Sequence, residues 1–417
     1  MQDYLNKKRL LYDLQSGFRQ SHSTETCLVY LTDSIRKEID SGKLCGLVLL
    51  DLQKAFDTVN HAILLSKLRA IGMSKSAVTW FSSYLSERIQ RVEVNRSLSD
   101  PQLITCGVPQ GSVLGPLLFL LYINDMPSAC SCKLLLFADD AALLVSHRDQ
   151  TTLENILGRE LEGVSIWLSD NRLSLHLGKT EAVLLGSEPK LAKARDFSVQ
   201  LGPVTLTQKK TVKYLGCILD ENVDGEAMAS QVLGKVNSRT RFLARYTSLL
   251  DRDSLRLLAN GLVLCHLDYG SVAWFEGLSK KTKGKLQVAQ NKLVRVVLGL
   301  GPRSHIGRHE LQELNWLPVE SRVTQLRLSI VHNSIHQKFP SYLQNYFTPV
   351  RESHSHLTRA SVADLREASF HNNTGQYSFT ITGAKNWNSL PTTIKQIPCL
   401  PNFKNHVRQW LREKIEI

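Results

Sequence analysis

The stretch Leu134-Leu135-Leu136-Phe137-Ala138-Asp139-Asp140-Ala141-Ala142-Leu143-Leu144-Val145 sets two adjacent carboxylates between two apolar runs. Short apolar runs broken by a polar pair predict a β-hairpin with the acids at its tip. Neighbouring like charges repel, and greasy flanks leave little water to screen them, so a divalent cation is the usual remedy. An acidic dipeptide at a hairpin tip is also ordinary solvated turn chemistry. A second acidic element upstream favours the metal.

That element follows Leu44–Leu52 (LCGLVLLDL), a buried-strand pattern bounded by the turn-like Ser41-Gly42-Lys43. The strand delivers Asp51 near its end, and Gln53–His61 follows as a turn leading into a helix. Two strands each ending in acid can face one another in a sheet, gathering three carboxylates around one point. Hard divalent ions such as Mg²⁺ take oxygen ligands, and two of them clamp the attacking and leaving oxygens of a phosphoryl transfer. Between the acidic elements lies Cys106-Gly107-Val108-Pro109-Gln110-Gly111-Ser112-Val113-Leu114-Gly115-Pro116, ahead of an apolar, helix-like run to Ile123. Pro109 stiffens this loop, and its glycines permit unusual backbone angles or close approach of a substrate. Standing alone it would read as an ordinary Gly/Pro turn.

Together these residues resemble the reverse transcriptases of non-LTR (LINE-type) retrotransposons. Five blocks occur in the family's order: Leu14-Gln15-Ser16-Gly17-Phe18-Arg19 with its continuation to Glu25, Leu50–Asp57, Gly107–Ser112, Phe137–Asp140 and Tyr214-Leu215-Gly216. The resemblance covers roughly the first three hundred residues, with looser matches at Glu313–Pro318 and Trp387–Pro391. It implies an α+β fold: a right-hand polymerase palm with an antiparallel sheet and partial helical fingers at 1–225, a helical thumb at 226–301, and a mixed, basic C-terminal region of unknown role at 302–417.

The resemblance further implies an RNA-directed DNA polymerase, a nucleotidyltransferase adding deoxynucleotides to a primer 3′ end with two Mg²⁺ or Mn²⁺ ions. Asp51, Asp139 and Asp140 look like its catalytic carboxylates and metal ligands, with the Leu52 carbonyl as a further ligand. Phe56 falls where the family places an aromatic ring that clashes with a 2′-hydroxyl, the group that separates ribo- from deoxyribonucleotide. Without the resemblance it would read as a core Phe at a helix start. Gln110, Gly111 and Ser112 resemble the loop against template and incoming nucleotide. Lys179 matches a lysine placed near the triphosphate, though a solvated turn lysine is the plain alternative. Tyr214, Leu215 and Gly216 look like the hairpin gripping the primer, and Arg19 is a weaker match approaching template or nucleotide.

Departures from the pattern carry their own expectation. Little chain precedes Gln15, so the earlier fingers strands and an endonuclease domain have no counterpart, and the sequence reads as a truncated open reading frame. A catalytically inactive remnant that binds nucleic acid is therefore the alternative. Synthesis of RNA instead of DNA is a second one. The implied partners are an RNA template, a DNA primer and deoxynucleoside triphosphates, and the implied setting is intracellular, in nucleus and cytoplasm. Oligomeric state is not legible.

Composition agrees with a large globular chain of two to three domains: 417 residues, 42% hydrophobic. The closest pair among the eight cysteines, Cys130 and Cys132, lacks a second Cys/His pair at zinc-like spacing, and the cysteines read as free thiols in a reducing compartment. No run reaches the length of a membrane span, and Met1–Arg9 lacks a signal-peptide core. Charge is divided unevenly. Residues 1–227 hold 25 basic and 26 acidic residues, whereas 228–417 hold 26 and 12, which makes the C-terminal part the polyanion-binding candidate. Surplus Lys and Arg can also serve solubility alone. Leu153, Leu157, Leu161, Val164 and Leu168 predict a helix over 153–168, and Asn171–Leu185 reads as strand, turn and strand. An amphipathic helix is expected from the N-terminus to about Ser41. From about Met228 helical spacing interleaves apolar residues with Lys235, Arg239, Arg241, Arg245 and Arg256.

Overall fold

A computed structural model of the chain describes residues 1–350 and 363–414. Positions 351–362 and 415–417 of the expected C-terminal region lie outside the described residues. The chain forms two compact units. The first comprises Met1–Ser23, Cys45–Leu184 and Ala194–Lys209; the second comprises Thr24–Leu44, Leu185–Lys193 and the described residues from Lys210 onward.

The first unit is built on a four-stranded sheet of β1 (Leu44–Asp51), β2 (Lys133–Phe137), β3 (Asp140–His147) and β4 (Glu181–Leu185), in the order β2-β3-β1-β4. β2 and β3 pair antiparallel, Phe137 opposite Asp140 and Leu134 opposite Leu143. Consecutive residues Leu134, Leu135 and Leu136 are all buried, as are Ala141 through Val145. Both faces of the hairpin are therefore covered, which is why its strands read as continuous apolar runs instead of alternating ones. The outer edge of β2 pairs with the segment around Gln15, and that of β4 with Gln208, so neither edge offers a long unpaired ladder.

Helix Gln150–Asp170 covers part of this sheet, with Leu153, Leu157, Leu161, Val164 and Leu168 buried at helical spacing. It starts at Asp149, whose carboxylate accepts from the Thr152 amide at 2.8 Å. Gly46 on β1 makes room for it: a Cβ there would lie 2.3 Å from Leu157 Cδ1. Beyond it the expected strand, turn and strand become a single bridge at Leu175, a turn, and β4. The apolar helix Leu114–Ile123 is buried from Leu118 through Ile123.

The expected continuous N-terminal helix is instead two helices, Gln2–Lys8 and Thr24–Asp40. Arg9 closes the first in a left-handed conformation, and Phe18 and Ser21 also take positive φ. The backbone between them is committed elsewhere, because Leu136 donates to the Leu14 carbonyl at 3.0 Å and Ser16 donates to the Leu136 carbonyl at 2.8 Å.

The second unit is mainly helical. Its larger helices are Thr24–Asp40, Glu226–Ala244, Lys280–Leu298, Val319–Ile335 and Leu400–Glu413. Arg36 is buried at its centre, donating to the carbonyls of Val223 (3.1 Å) and Tyr377 (3.2 Å). Buried Arg327 pairs with Glu276. Among the described residues no helix is long and apolar enough to cross a membrane.

Two glycines in one helix test this packing. Ala is the better helix former by about 1 kcal/mol, and at Gly158 nothing stands closer than 4.0 Å to an added Cβ. At Gly163 the Cβ would lie 2.3 Å from the Ala129 carbonyl oxygen. Urea denaturation should show Gly158→Ala stabilised by up to about 1 kcal/mol, and Gly163→Ala destabilised by about 1–3 kcal/mol.

Candidate active site

Asp51 ends β1, and the neighbouring backbone fixes it there. The His176 amide donates to the Asp51 carbonyl and the Gln53 amide to the Ser174 carbonyl, both at 2.8 Å. Leu52 thus forms an antiparallel bridge with Leu175, with its own N–H and C=O directed away from that segment. The Leu52 side chain is buried. Asp139 and Asp140 sit at the β2–β3 turn, whose two central residues are Ala138 and Asp139. Asp140 is already the first residue of β3.

These three acids share one electrostatic environment. Asp140 has its carboxyl pushed above the ordinary aspartate range, first by desolvation and then by the charges of Asp139 and Asp51. Lys179 approaches the same cluster, with Nζ 3.5 Å from Asp51 Oδ2. It is held on a turn closed by its amide donating to the His176 carbonyl at 2.9 Å. Its side chain is 64% exposed, so the ion pair is screened and contributes little to stability. One exposed ammonium does not neutralise three carboxylates. Hard oxygen donors with residual negative charge fit a hard divalent cation, with Asp51, Asp139, Asp140 and the Leu52 carbonyl as the available ligands.

Phe56 lies in the turn after Asp51 rather than in the helix, which starts at His61 with Asn60 as its cap. Its half-buried ring stacks on the core Phe119 at 4.4 Å between centroids and meets exposed Phe18 edge-on at 6.2 Å. The glycine-rich loop is laced to that turn. Val108 donates to the Phe56 carbonyl and Gly107 to the Val59 carbonyl, each at 2.8 Å, and His61 Nε2 meets the Gly107 carbonyl at 2.7 Å. Gly107 has φ +89°, and a Cβ there would lie 2.8 Å from the Asp57 carbonyl oxygen. Gln110 Nε2 donates to Asp57 Oδ1 at 2.8 Å. Gly111, at φ +77°, faces open space. Ser112 turns inward instead, its hydroxyl donating to the Pro109 carbonyl at 2.7 Å. A cleft of about 490 Å³ is lined by Lys54, Asp57, Arg88, Cys106 and Gln110.

Arg19 is tied to its own segment, Nη1 donating to the Tyr12 and Gln15 carbonyls at 2.7 and 2.9 Å. Sequence reasoning assigned no role to Gln15, although its carboxamide oxygen accepts from both the Gly17 and Ala138 amides. No spacing rule signals that contact. Elsewhere Cys130, Cys132 and Glu160 come within 4.8 Å of one another. Both Glu160 oxygens already accept there, from the Ser131 amide and the Arg159 guanidinium.

In the second unit, Thr211–Tyr214 and Cys217–Asp220 form the hairpin whose tip is Leu215-Gly216, both at positive φ. Tyr214 is 3% exposed, with its hydroxyl 3.6 Å from Cys27 Sγ, so its ring is a core element. The tip itself is held by Tyr269, whose hydroxyl donates to the Leu215 carbonyl at 2.7 Å.

Sequence comparison gives the chain that carries this sheet and loop its family. The chain belongs to the reverse transcriptase (RNA-dependent DNA polymerase) family, whose model matches residues 1–219. Its relatives place it with the non-LTR, LINE-type branch. It is 29% identical over 374 residues to a probable RNA-directed DNA polymerase from transposon BS of Drosophila melanogaster, covering 86% of this chain and 38% of that one. A probable RNA-directed DNA polymerase from transposon X-element of the same fly is 27% identical over 68% of this chain and 32% of its own. The RNA-directed DNA polymerase from mobile element jockey of Drosophila funebris is 26% identical over 70% and 32% respectively. The chain thus spans about a third of the length of these relatives.

The crowding of charge has a measurable consequence. Mg²⁺ at a hundredfold excess over its Kd should stabilise the wild type by about 2.7 kcal/mol, read as a rise in Tm. Asp140→Asn should raise Tm without divalent ions and lose most of the Mg²⁺-dependent rise. Equal Mg²⁺ responses in the two proteins would contradict the shared site.

Proposed function

We propose that the chain is the polymerase part of a retrotransposon reverse transcriptase, adding deoxynucleotides to a DNA primer 3′ end on an RNA template by two-metal phosphoryl transfer. The observation that carries this reading is that acids more than eighty residues apart in sequence, Asp51 at the end of β1 and Asp139 and Asp140 at the β2–β3 turn, are brought to one end of a sheet, close enough for Asp140 to feel the charges of the other two. Mg²⁺ or Mn²⁺ held there would lower the pKa of the primer 3′-hydroxyl and neutralise charge on the triphosphate. The first unit then acts as palm with partial fingers.

The protein's own groups divide the remaining work. Asp51, Asp139 and Asp140 orient the reacting ends by fixing where positive charge collects. Phe56, backed by Phe119, presents a braced ring against the sugar of the incoming nucleotide. Gly111 leaves space for a base pair, and Gln110 offers amide hydrogen bonding beside it. Lys179 places a cation where the pyrophosphate departs, and Leu215-Gly216 serves as primer grip through its backbone, since the Tyr214 ring is buried.

Positive charge supports duplex binding by the second unit. Helices Glu226–Ala244 and Lys280–Leu298 pack together, and the groove along them is lined by Arg241, Lys281, Lys285 and Lys292. Ammonium and guanidinium groups in such a groove follow phosphates without reading sequence. This is the role of a thumb. It would also serve a catalytically silent nucleic-acid binder.

Primer extension on an RNA template separates the two. Asp139→Ala should lower the rate by roughly a thousandfold or more, the several kcal/mol that metal ligation supplies. Equal, near-zero extension by both proteins, with salt-sensitive duplex binding retained, would leave the silent binder. In the same assay Phe56→Ala should reduce discrimination against ribonucleotides by roughly tenfold or more. A wild type that already incorporates ribonucleotides freely would remove the sugar-gate role.

A further inference from the structure

Ala138 has φ +54° at the first central position of the β2–β3 turn. That position belongs to the left-handed region, where glycine is favoured and an L side chain is strained. Asp139 and Asp140 follow directly, so whatever holds Ala138 also sets the directions of two of the three carboxylates. The turn is short and has no slack to absorb a change of backbone angle.

The holding group is the side chain of Gln15. Its Oε1 accepts from the Ala138 amide at 3.1 Å and from the Gly17 amide at 2.8 Å. Two donors converging on one atom fix which end of the carboxamide is oxygen. The residue is 1% exposed, and its Nε2 is buried without a hydrogen-bond partner. An orphaned buried donor is costly, and a residue needed only for bulk would avoid it. The backbone around Gln15 is itself anchored to β2 through the two hydrogen bonds that join Leu14 and Ser16 to Leu136. Gly17 completes the arrangement: a Cβ there would lie 2.3 Å from the Ala138 nitrogen. The segment thus approaches the turn too closely for any other residue type.

We propose that Gln15 is a positioning residue for the metal-binding turn, holding Ala138 in its left-handed conformation so that Asp139 and Asp140 converge with Asp51. The inference rests on the polymerase reading of that site. Gln15 itself touches neither metal nor nucleotide and acts through the Ala138 amide. Supporting hydrogen bonds of this indirect kind typically change metal affinity or activity 10- to 100-fold.

The test uses Gln15→Met, which keeps the bulk and removes the acceptor, with Mn²⁺ binding followed by the EPR signal of free ion. Half-saturation should require roughly 10- to 100-fold more Mn²⁺ than in the wild type, and primer extension should recover as Mn²⁺ is raised. Adding Ala138→Gly should restore most of the lost affinity, because glycine adopts the left-handed angle unaided. A general loss of packing would not be repaired by that second change. Gly17→Ala, which pushes on the same turn from the other side, should weaken Mn²⁺ binding in a chain of unchanged circular dichroism, and it covers the case of Gln15→Met failing to fold. Wild-type Mn²⁺ affinity in folded Gln15→Met or Gly17→Ala, or no recovery in the double variant, would overturn the positioning role while leaving the polymerase reading intact. A wild type that binds no Mn²⁺ would overturn both.

Discussion

The closeness of Asp51, Asp139 and Asp140, near enough for Asp140 to feel the other two charges, is the constraint on which the candidate site depends. Desolvation first, and then the charges of Asp139 and Asp51, push the Asp140 carboxyl above the ordinary aspartate range. The sheet holds the three acids in place. Buried Leu134–Leu136 and Ala141–Val145 fix the register of the hairpin, and the bridge at Leu52 fixes the end of β1. The two-residue turn that pairs Phe137 with Asp140 sets that register, so the acids cannot separate by sliding.

A few backbone positions shape the segments that carry the site. Ala138 takes a left-handed angle at the turn, Gly17 is required for close approach to it, and Gly107 allows the loop to lie against Asp57. Gly111 differs, facing empty space and meeting no neighbour. The first three serve the construction of the site, while the last leaves room beside it. Phe56 joins the two regions, pairing with the loop through its carbonyl and with the core through its ring.

Much of this was legible in the amino-acid order because it follows from local chemistry. Apolar runs flanking Asp139-Asp140 specified the hairpin, leucines at helical spacing specified Gln150–Asp170, and Asp51 at a strand end specified the third acid. What stayed hidden depends on contacts between distant positions. The helix expected to run to Ser41 is interrupted because residues 14–16 pair with Leu136, a partner more than a hundred residues away. The burial of the Tyr214 ring depends on contacts such as that of its hydroxyl with Cys27, far away in sequence. The Gln15 contact has no signature at all, since glutamine is usually a surface residue. Charge counting located the basic half of the chain but not the groove in which Lys281, Lys285 and Lys292 line up.

Crystals grown with Mn²⁺ and examined by anomalous scattering would examine the site most directly. Strong peaks bounded by the carboxylates of Asp51, Asp139 and Asp140 are expected, with the Leu52 carbonyl as a further ligand. Well-ordered density in which Asp51 points to a different solvent face from Asp139 and Asp140, with no manganese peak among them, would contradict the shared metal site and with it the proposed chemistry.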